Sequence, residues 1–126
     1  MSEIRANTIS DAAGTGPVTL TGQVAMRAVV NYNHGTTTIR ESLNISSVTD
    51  NSTGLCSPSF SNNFSSNNYT LTLGGGNDTG TNQAGIYIAG ATTAKTSSGL
   101  GLAITSFAGT SNDRDNVCMH NYGDLA

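Results

Sequence analysis

The most informative features of this 126-residue sequence are the residues that it has little of. Only 10% of the residues are charged and tryptophan is absent, while glycine, serine, threonine and asparagine dominate the remainder. Disordered chains tend to carry a high net charge, so the low charge argues against disorder. The scarcity of lysine and glutamate, beside many threonine, valine and isoleucine residues, argues against long helices and favours strands joined by small-residue turns.

The charge balance and the hydropathy pattern argue against further classes of protein. The formal net charge is −3 and the isoelectric point is about 5.0, so the chain has no basic surface for nucleic acid. No apolar run is long enough to span a membrane, and we expect no membrane insertion. The start of the chain lacks the continuous apolar segment of a signal peptide, so we expect synthesis in a cytoplasm.

The chain has two cysteines, Cys56 and Cys118, and no CxxC spacing. Two such cysteines do not make a zinc site. A disulfide is conceivable if their strands are neighbours, but an origin in a cytoplasm favours free thiols. We expect no metal and no cofactor.

Residues 1–23 differ in composition from the rest of the chain. Their apolar residues are sparse and are separated by glycine, proline and aspartate, so this segment can hardly bury enough surface to fold alone. It can add short strands to the edge of another protein, which favours an extended attachment arm over a mobile tail. The candidate attachment residues are Ile4, Arg5, Ile9, Val18 and Leu20.

Residues 24–126 carry the pattern of a single β domain. Tyr69, Leu71 and Leu73 alternate with threonines, which is the period of a strand with one buried face. Similar short runs recur between turn-forming clusters, and we expect an antiparallel β-sandwich of about seven to nine short strands. The predicted strands are residues 24–32, 36–44, 45–49, 55–60, 66–73, 84–90, 100–107 and 114–122.

The residues that could do chemistry do not form a recognisable catalytic set. His34 stands beside Gly35, as expected of a turn residue, and His120 falls on the last predicted strand as a surface or interface side chain. Asp113 and Asp115 flank an arginine in a stretch typical of a solvated turn. There is no nucleophile motif and no paired acids can be nominated, so we do not expect an enzyme.

A three-part pattern runs from Arg27 to Tyr69: RAVVNYNHG, then IRESLNISSVTDNSTG, then F and NY. It resembles a β module of tailed-phage virion proteins, best known from tail fibres. That module carries K-A-W-V-N-F-N-G, then I-R-x-S-x-N-[VI]-S-S-[VI]-T-D-x-x-x-G, then an F…NY pair. The core residues of the match are Ala28, Val30, Asn31, Tyr32, Ile39, Asn44, Ser47, Asp50, Gly54, Phe60 and Tyr69.

The chain departs from that module at two places. Val29 stands where the family has tryptophan, and the family's Y-T-V-N-F strand is replaced by residues 55–60, which contain Pro58. Proline cannot donate to a β ladder, so we expect this strand to be an edge strand or to be bulged. The first 23 residues also look like the head of many short phage fibre proteins.

The resemblance implies a non-enzymatic structural component of a tailed-phage virion, assembled in the bacterial host cytoplasm. It implies a short tail-fibre or baseplate-peripheral protein that is attached to other virion proteins through its arm and packed as a homotrimer. One alternative is a trimeric decoration protein on the major capsid protein. Another is a module that binds a host-surface glycan, although all four tyrosines fall on predicted strands and no glycan site is visible.

Overall fold

The protein forms eight antiparallel strands in a computed structural model that describes residues 26–77, 84–89, 94–106 and 108–126. The predicted arm and the start of the first predicted strand lie outside the described residues. The strands are β1 (Met26–Asn33), β2 (Thr38–Leu43), β3 (Ile45–Ser52), β4 (Leu55–Phe60), β5 (Thr70–Gly76), β6 (Ala84–Ile88), β7 (Leu102–Ser106) and β8 (Asn116–Tyr122).

Two four-stranded sheets make up the fold. One has the order β2-β1-β8-β5 and the other has the order β3-β4-β7-β6. The described part of the chain contains no helix. This confirms the prediction of an all-β antiparallel sandwich with seven to nine strands, while the trimer stays a prediction.

The core lies between the two sheets and follows the alternation of the strands. Ala28, Val30 and Tyr32 point inward from β1 and face Val117 and Met119 on the neighbouring strand β8. Full burial of one such side chain contributes about 1.5–3 kcal/mol, so the alternating residues of the two central strands carry much of the stability. The whole buried cluster is Ala28, Val30, Tyr32, Cys56, Phe60, Phe64, Tyr69, Leu100, Leu102, Ile104, Val117 and Met119.

The chain crosses from one sheet to the other at Asn44, between β2 and β3. Asn44 has a φ of 55°, a left-handed conformation that asparagine tolerates better than most residues. Its side chain accepts a hydrogen bond from the Asn62 backbone N–H at 2.7 Å and donates to the Asn62 carbonyl at 3.0 Å. The corner is therefore fixed to the loop that follows β4.

The position of β4 corrects one prediction. The expectation that Pro58 marks an edge strand is wrong, because β4 lies between β3 and β7. The ladder between β4 and β7 covers only Leu55 and Cys56, and beyond it the Pro58 carbonyl accepts a hydrogen bond from the Leu100 N–H at 3.2 Å. The Pro58 nitrogen, which carries no hydrogen to donate, lies on the same irregular side of β4. Its lack of an N–H therefore costs no hydrogen bond of a regular ladder. The register shifts in the β3–β4 pair fall between residues 45 and 47 and between residues 50 and 52, in β3.

The run of three glycines at residues 74–76 also differs from expectation. The sequence predicts a loop from Gly74 onward, but all three glycines belong to β5 and pair with β8. At Gly75 a Cβ atom would lie 2.5 Å from the Asn116 carbonyl oxygen and 2.5 Å from Ile86 Cδ1. Glycine is needed in this strand because a side chain would have no room.

The turn between β3 and β4 provides a test of the packing at one end of the sandwich. Gly54 has a φ of 71°, and a Cβ atom there would lie 2.6 Å from the Ile104 carbonyl oxygen and 2.8 Å from the Asn112 nitrogen. We expect Gly54→Ala to lower the free energy of unfolding by about 3 kcal/mol, since backbone overlap adds to the left-handed strain. Urea denaturation of the purified protein measures this change.

Two other glycines are matched controls. Gly109 has a φ of 79° but open space around it, so Gly109→Ala should cost only about 1–2 kcal/mol. Gly74 has open space and no positive φ, and Gly74→Ala should leave stability nearly unchanged. If Gly54→Ala and Gly109→Ala lower the free energy of unfolding equally, the close backbone approach at Gly54 contributes nothing to the cost of the substitution.

Candidate functional site

The residues of the phage-like motif lie on the framework of the sandwich rather than in one site. Ala28, Val30 and Tyr32 are buried in the core on β1, and Asn31 lies half-buried on the opposite face of the same strand. Asn44 forms the corner between the sheets. The predicted attachment residues of the arm lie outside the described residues. The remaining motif residues fall into an aromatic cluster, a charged cluster, the Gly54 turn and the exposed surface.

Phe60 and Tyr69 of the motif join Phe64 in an aromatic cluster at one end of the sandwich. The Phe64 and Tyr69 rings stack with centroids 4.5 Å apart, and the Phe60 ring meets them edge-on at 4.9 and 5.5 Å. Lys95 Nζ lies 4.3 Å from the Tyr69 ring centroid and donates a hydrogen bond to the Tyr69 carbonyl at 2.6 Å. Such stacked and edge-on pairs add to the stability that burial already provides.

At the other end, Asp50 of the motif belongs to a charged group that we call the His34 cluster, formed by His34, Asp50 and Asp113. His34 Nε2 lies 3.1 Å from Asp50 Oδ1, and His34 Nδ1 lies 2.9 Å from Asp113 Oδ1. The second contact does not have good hydrogen-bond geometry. The His34 side chain is fully buried, whereas about 40% of each aspartate side chain is exposed.

The cluster joins three separate segments: the β1–β2 turn, β3 and the loop before β8. The His34 N–H donates to the Arg114 carbonyl at 2.9 Å, and Asp113 Oδ1 also accepts from the Gly54 N–H at 2.8 Å. Carboxylates from two different segments therefore meet opposite nitrogens of one buried imidazole ring.

The geometry of the cluster suits a structural role. The two carboxylates approach opposite sides of the ring, and the described residues include no group of three His, Cys, Asp or Glu side chains that could hold a metal. The nearby Cys56 is a free thiol, and burial, together with the charges of Asp50 and Asp113, raises its pKa to about 12. A thiol with so high a pKa is a poor nucleophile at neutral pH.

Sequence reasoning missed this cluster because its members are far apart in the chain. His34 was expected as an ordinary turn residue, and Asp113 as part of a solvated turn. His34 does lie in the turn after β1, but it is buried. The available signal was the alternation of β1, which buries Tyr32 and continues directly into His34. Cys118 is also a free thiol, as expected, and is half-buried.

Four of the five large apolar side chains that are exposed in the described residues lie on edge strands, and the fifth, Met26, starts the inner strand β1. β2 ends the first sheet, and all six of its residues are exposed, including the motif residue Ile39 (38%) and Leu43 (53%). β6 ends the second sheet on the opposite side and exposes Tyr87 (51%) and Ile88 (39%). We call these two surfaces the β2 patch and the β6 patch. Ser47 of the motif is exposed on β3, which also ends its sheet.

Comparison with protein-family models, with curated proteins and with solved structures gives no match for this chain. Within the described ranges, no helix is long and apolar enough to cross a membrane.

The His34 cluster can be tested by its effect on stability. We expect His34→Gln to lower the free energy of unfolding by about 2–4 kcal/mol, because the contacts of the ring with Asp50 and Asp113 and part of a buried side chain are lost. His120→Gln on the half-buried β8 position is the control, with an expected change of about 0.5 kcal/mol or less. Urea denaturation compares the two variants, and similar losses would contradict the role given to the cluster.

The buried Cys56 and Tyr69 side chains should make stability depend on pH at high pH. Burial, followed by the charges of Asp50 and Asp113, raises the pKa of Cys56 from 9.0 to about 12, and burial raises the pKa of Tyr69 from 10.0 to about 12. Above pH 9 the unfolded chain releases these protons before the folded chain does. Stability from both groups is therefore complete below pH 9 and is lost as the pH rises towards 12.

Urea denaturation between pH 7 and pH 11 measures this loss. Cys56→Ala should make the decline above pH 9 shallower, whatever its effect on stability at pH 7. Cys118→Ala should change the decline less, because its thiol is only half-buried. A stability that stays constant from pH 8 to pH 11 would refute the prediction.

Proposed function

We propose that this chain is a non-enzymatic structural component of a tailed-phage virion, a short tail-fibre or baseplate-peripheral protein attached through residues 1–23. The observation that carries the proposal is the position of the phage-like motif. Its residues build the central strand β1, the Asn44 corner, the charged contact of Asp50, the Gly54 turn and the aromatic cluster. Residues at these positions help to determine how the sandwich folds. A resemblance at these residues therefore supports a β module shared with the phage proteins.

The two apolar patches support assembly with further copies or with other virion proteins. Edge strands with exposed apolar residues are surfaces that proteins normally cover or protect. The β2 patch and the β6 patch lie on opposite sides of the sandwich and differ in sequence. Contact between unlike patches is heterologous and closes into a ring when the rotation allows it, which fits the proposed homotrimer.

Location on the particle tests the proposal. Gold-labelled electron microscopy of purified particles, with antibody against this chain, should place the label on the tail or the baseplate. Label spread over the head would instead assign the chain to capsid decoration, with the major capsid protein as its partner. A chain absent both from the labelled particles and from their mass spectra would refute a virion function.

The role of the arm gives a separate prediction. Deletion of residues 1–23 should leave a folded β domain, seen as an unchanged β-type circular dichroism spectrum, that no longer incorporates into particles. The full chain with Gly74→Ala is the control and should incorporate normally, since that residue has open space around it. A truncated protein that is folded and assembles at normal copy number would exclude attachment through the arm.

A further inference from the structure

A cleft of about 400 Å³ opens at the end of the sandwich where β5 begins and β8 ends. Its walls are the loop before β5 and the C-terminal segment after β8. The residues that matter for its chemistry are Phe64, Asn68, Tyr69, Tyr122, Gly123 and Asp124, beside the hydroxyls of two serines and a threonine. Its volume lies within the range of about 300–1,000 Å³ that is usual for small-ligand sites.

The two walls of the cleft are tied together by backbone hydrogen bonds. The Ser65 N–H donates to the Asp124 carbonyl at 2.8 Å, and the Ala126 N–H donates to the Asn63 carbonyl at 2.8 Å. Thr70 pairs with Tyr122 in the ladder between β5 and β8. The cleft is therefore preformed, which lowers the entropic cost of binding a ligand.

The floor of the cleft is rigid and aromatic. Phe64 and Tyr69 are buried and stacked, and Lys95 lies over the Tyr69 ring. At Gly123 a Cβ atom would lie 2.8 Å from Tyr69 Cβ and 3.2 Å from Phe64 Cδ1, so glycine lets the backbone close onto these rings. The closed packing holds the neighbouring Tyr122 and Asp124 in place.

The groups around the cleft are those that bind a sugar. Tyr122 is only half-buried and is one of the residues that line the cleft. An aromatic ring offers an apolar surface to the C–H face of a pyranose. The Asn68 amide, the serine and threonine hydroxyls and the exposed Asp124 carboxylate offer hydrogen bonds to its hydroxyl groups.

We propose that this cleft binds a neutral sugar unit of a carbohydrate. Asp124 is the one charged side chain among the residues that line it, so a sugar acid would meet a like charge. Glycosidases generally use a pair of carboxyl groups, and the single carboxylate here fits binding without hydrolysis. The assignment does not rest on the proposed virion function, because binding is measured on the purified chain and attachment is measured on particles.

The test is nuclear magnetic resonance of the ¹⁵N-labelled full chain, titrated separately with glucose, galactose, N-acetylglucosamine and glucuronate. At least one neutral sugar should shift the backbone signals of Asn68, Tyr122 and Asp124, and glucuronate should bind more weakly. Asp124→Asn, which keeps the shape of an exposed side chain, should weaken binding by about tenfold, as expected for one hydrogen bond to a charged group.

Two tyrosine variants complete the experiment. Tyr122→Ala should weaken binding by about tenfold or more, through loss of the ring surface. Tyr87→Ala is the matched control, because Tyr87 is an exposed tyrosine on β6 that does not line the cleft, and it should bind as the unchanged chain does. The proposal is overturned if no neutral sugar shifts the cleft signals, if Tyr87→Ala weakens binding as much as Tyr122→Ala, or if Asp124→Asn has no effect.

Discussion

The contact between a buried histidine and two aspartates is the constraint on which one end of this sandwich depends. His34, Asp50 and Asp113 come from three segments, and only Asp113 is also bonded to the Gly54 turn. The Gly54 carbonyl also accepts a hydrogen bond from the backbone N–H of Ile104 in β7 at 2.7 Å. One charged group therefore links the β1–β2 turn, the β3–β4 turn and the loop before β8. Removal of any partner would leave the others incompletely paired in a partly buried place.

The opposite end of the sandwich is held in a different way. There Phe60, Phe64 and Tyr69 pack against one another, and the C-terminal segment closes over them at Gly123. At this end the three aromatic rings supply the contact area, and Lys95 lies over the Tyr69 ring. β8 runs from the charged end to the aromatic end and pairs with both β1 and β5. The strand thus connects two stabilising clusters of opposite chemical character.

The sequence predicted the class of fold and most strands because alternation is a local signal. It could not predict the place of Pro58, because whether a missing N–H matters depends on which segment lies beside it. Gly75 was assigned to a loop, since the atoms that leave no room for a side chain there, the Asn116 carbonyl oxygen and Ile86 Cδ1, come from distant segments. The His34 cluster was missed for the same reason: its contacts join residues far apart in the chain. Local chemistry was predictable, and contacts between distant segments were not.

The exposed edges connect the fold to the proposed assembly. β2 and β6 each end a sheet and expose large apolar side chains, and β2 also exposes the charged residues Arg40 and Glu41. The register of β1 and β2 shifts opposite Asn31 and Tyr32, which disturbs the regular backbone of the edge at Arg40. Such a shift makes unlimited strand pairing less favourable while it leaves Ile39 and Leu43 available for side-chain packing. An edge of this kind favours a closed assembly of defined size over an open fibre, as the proposed trimer requires.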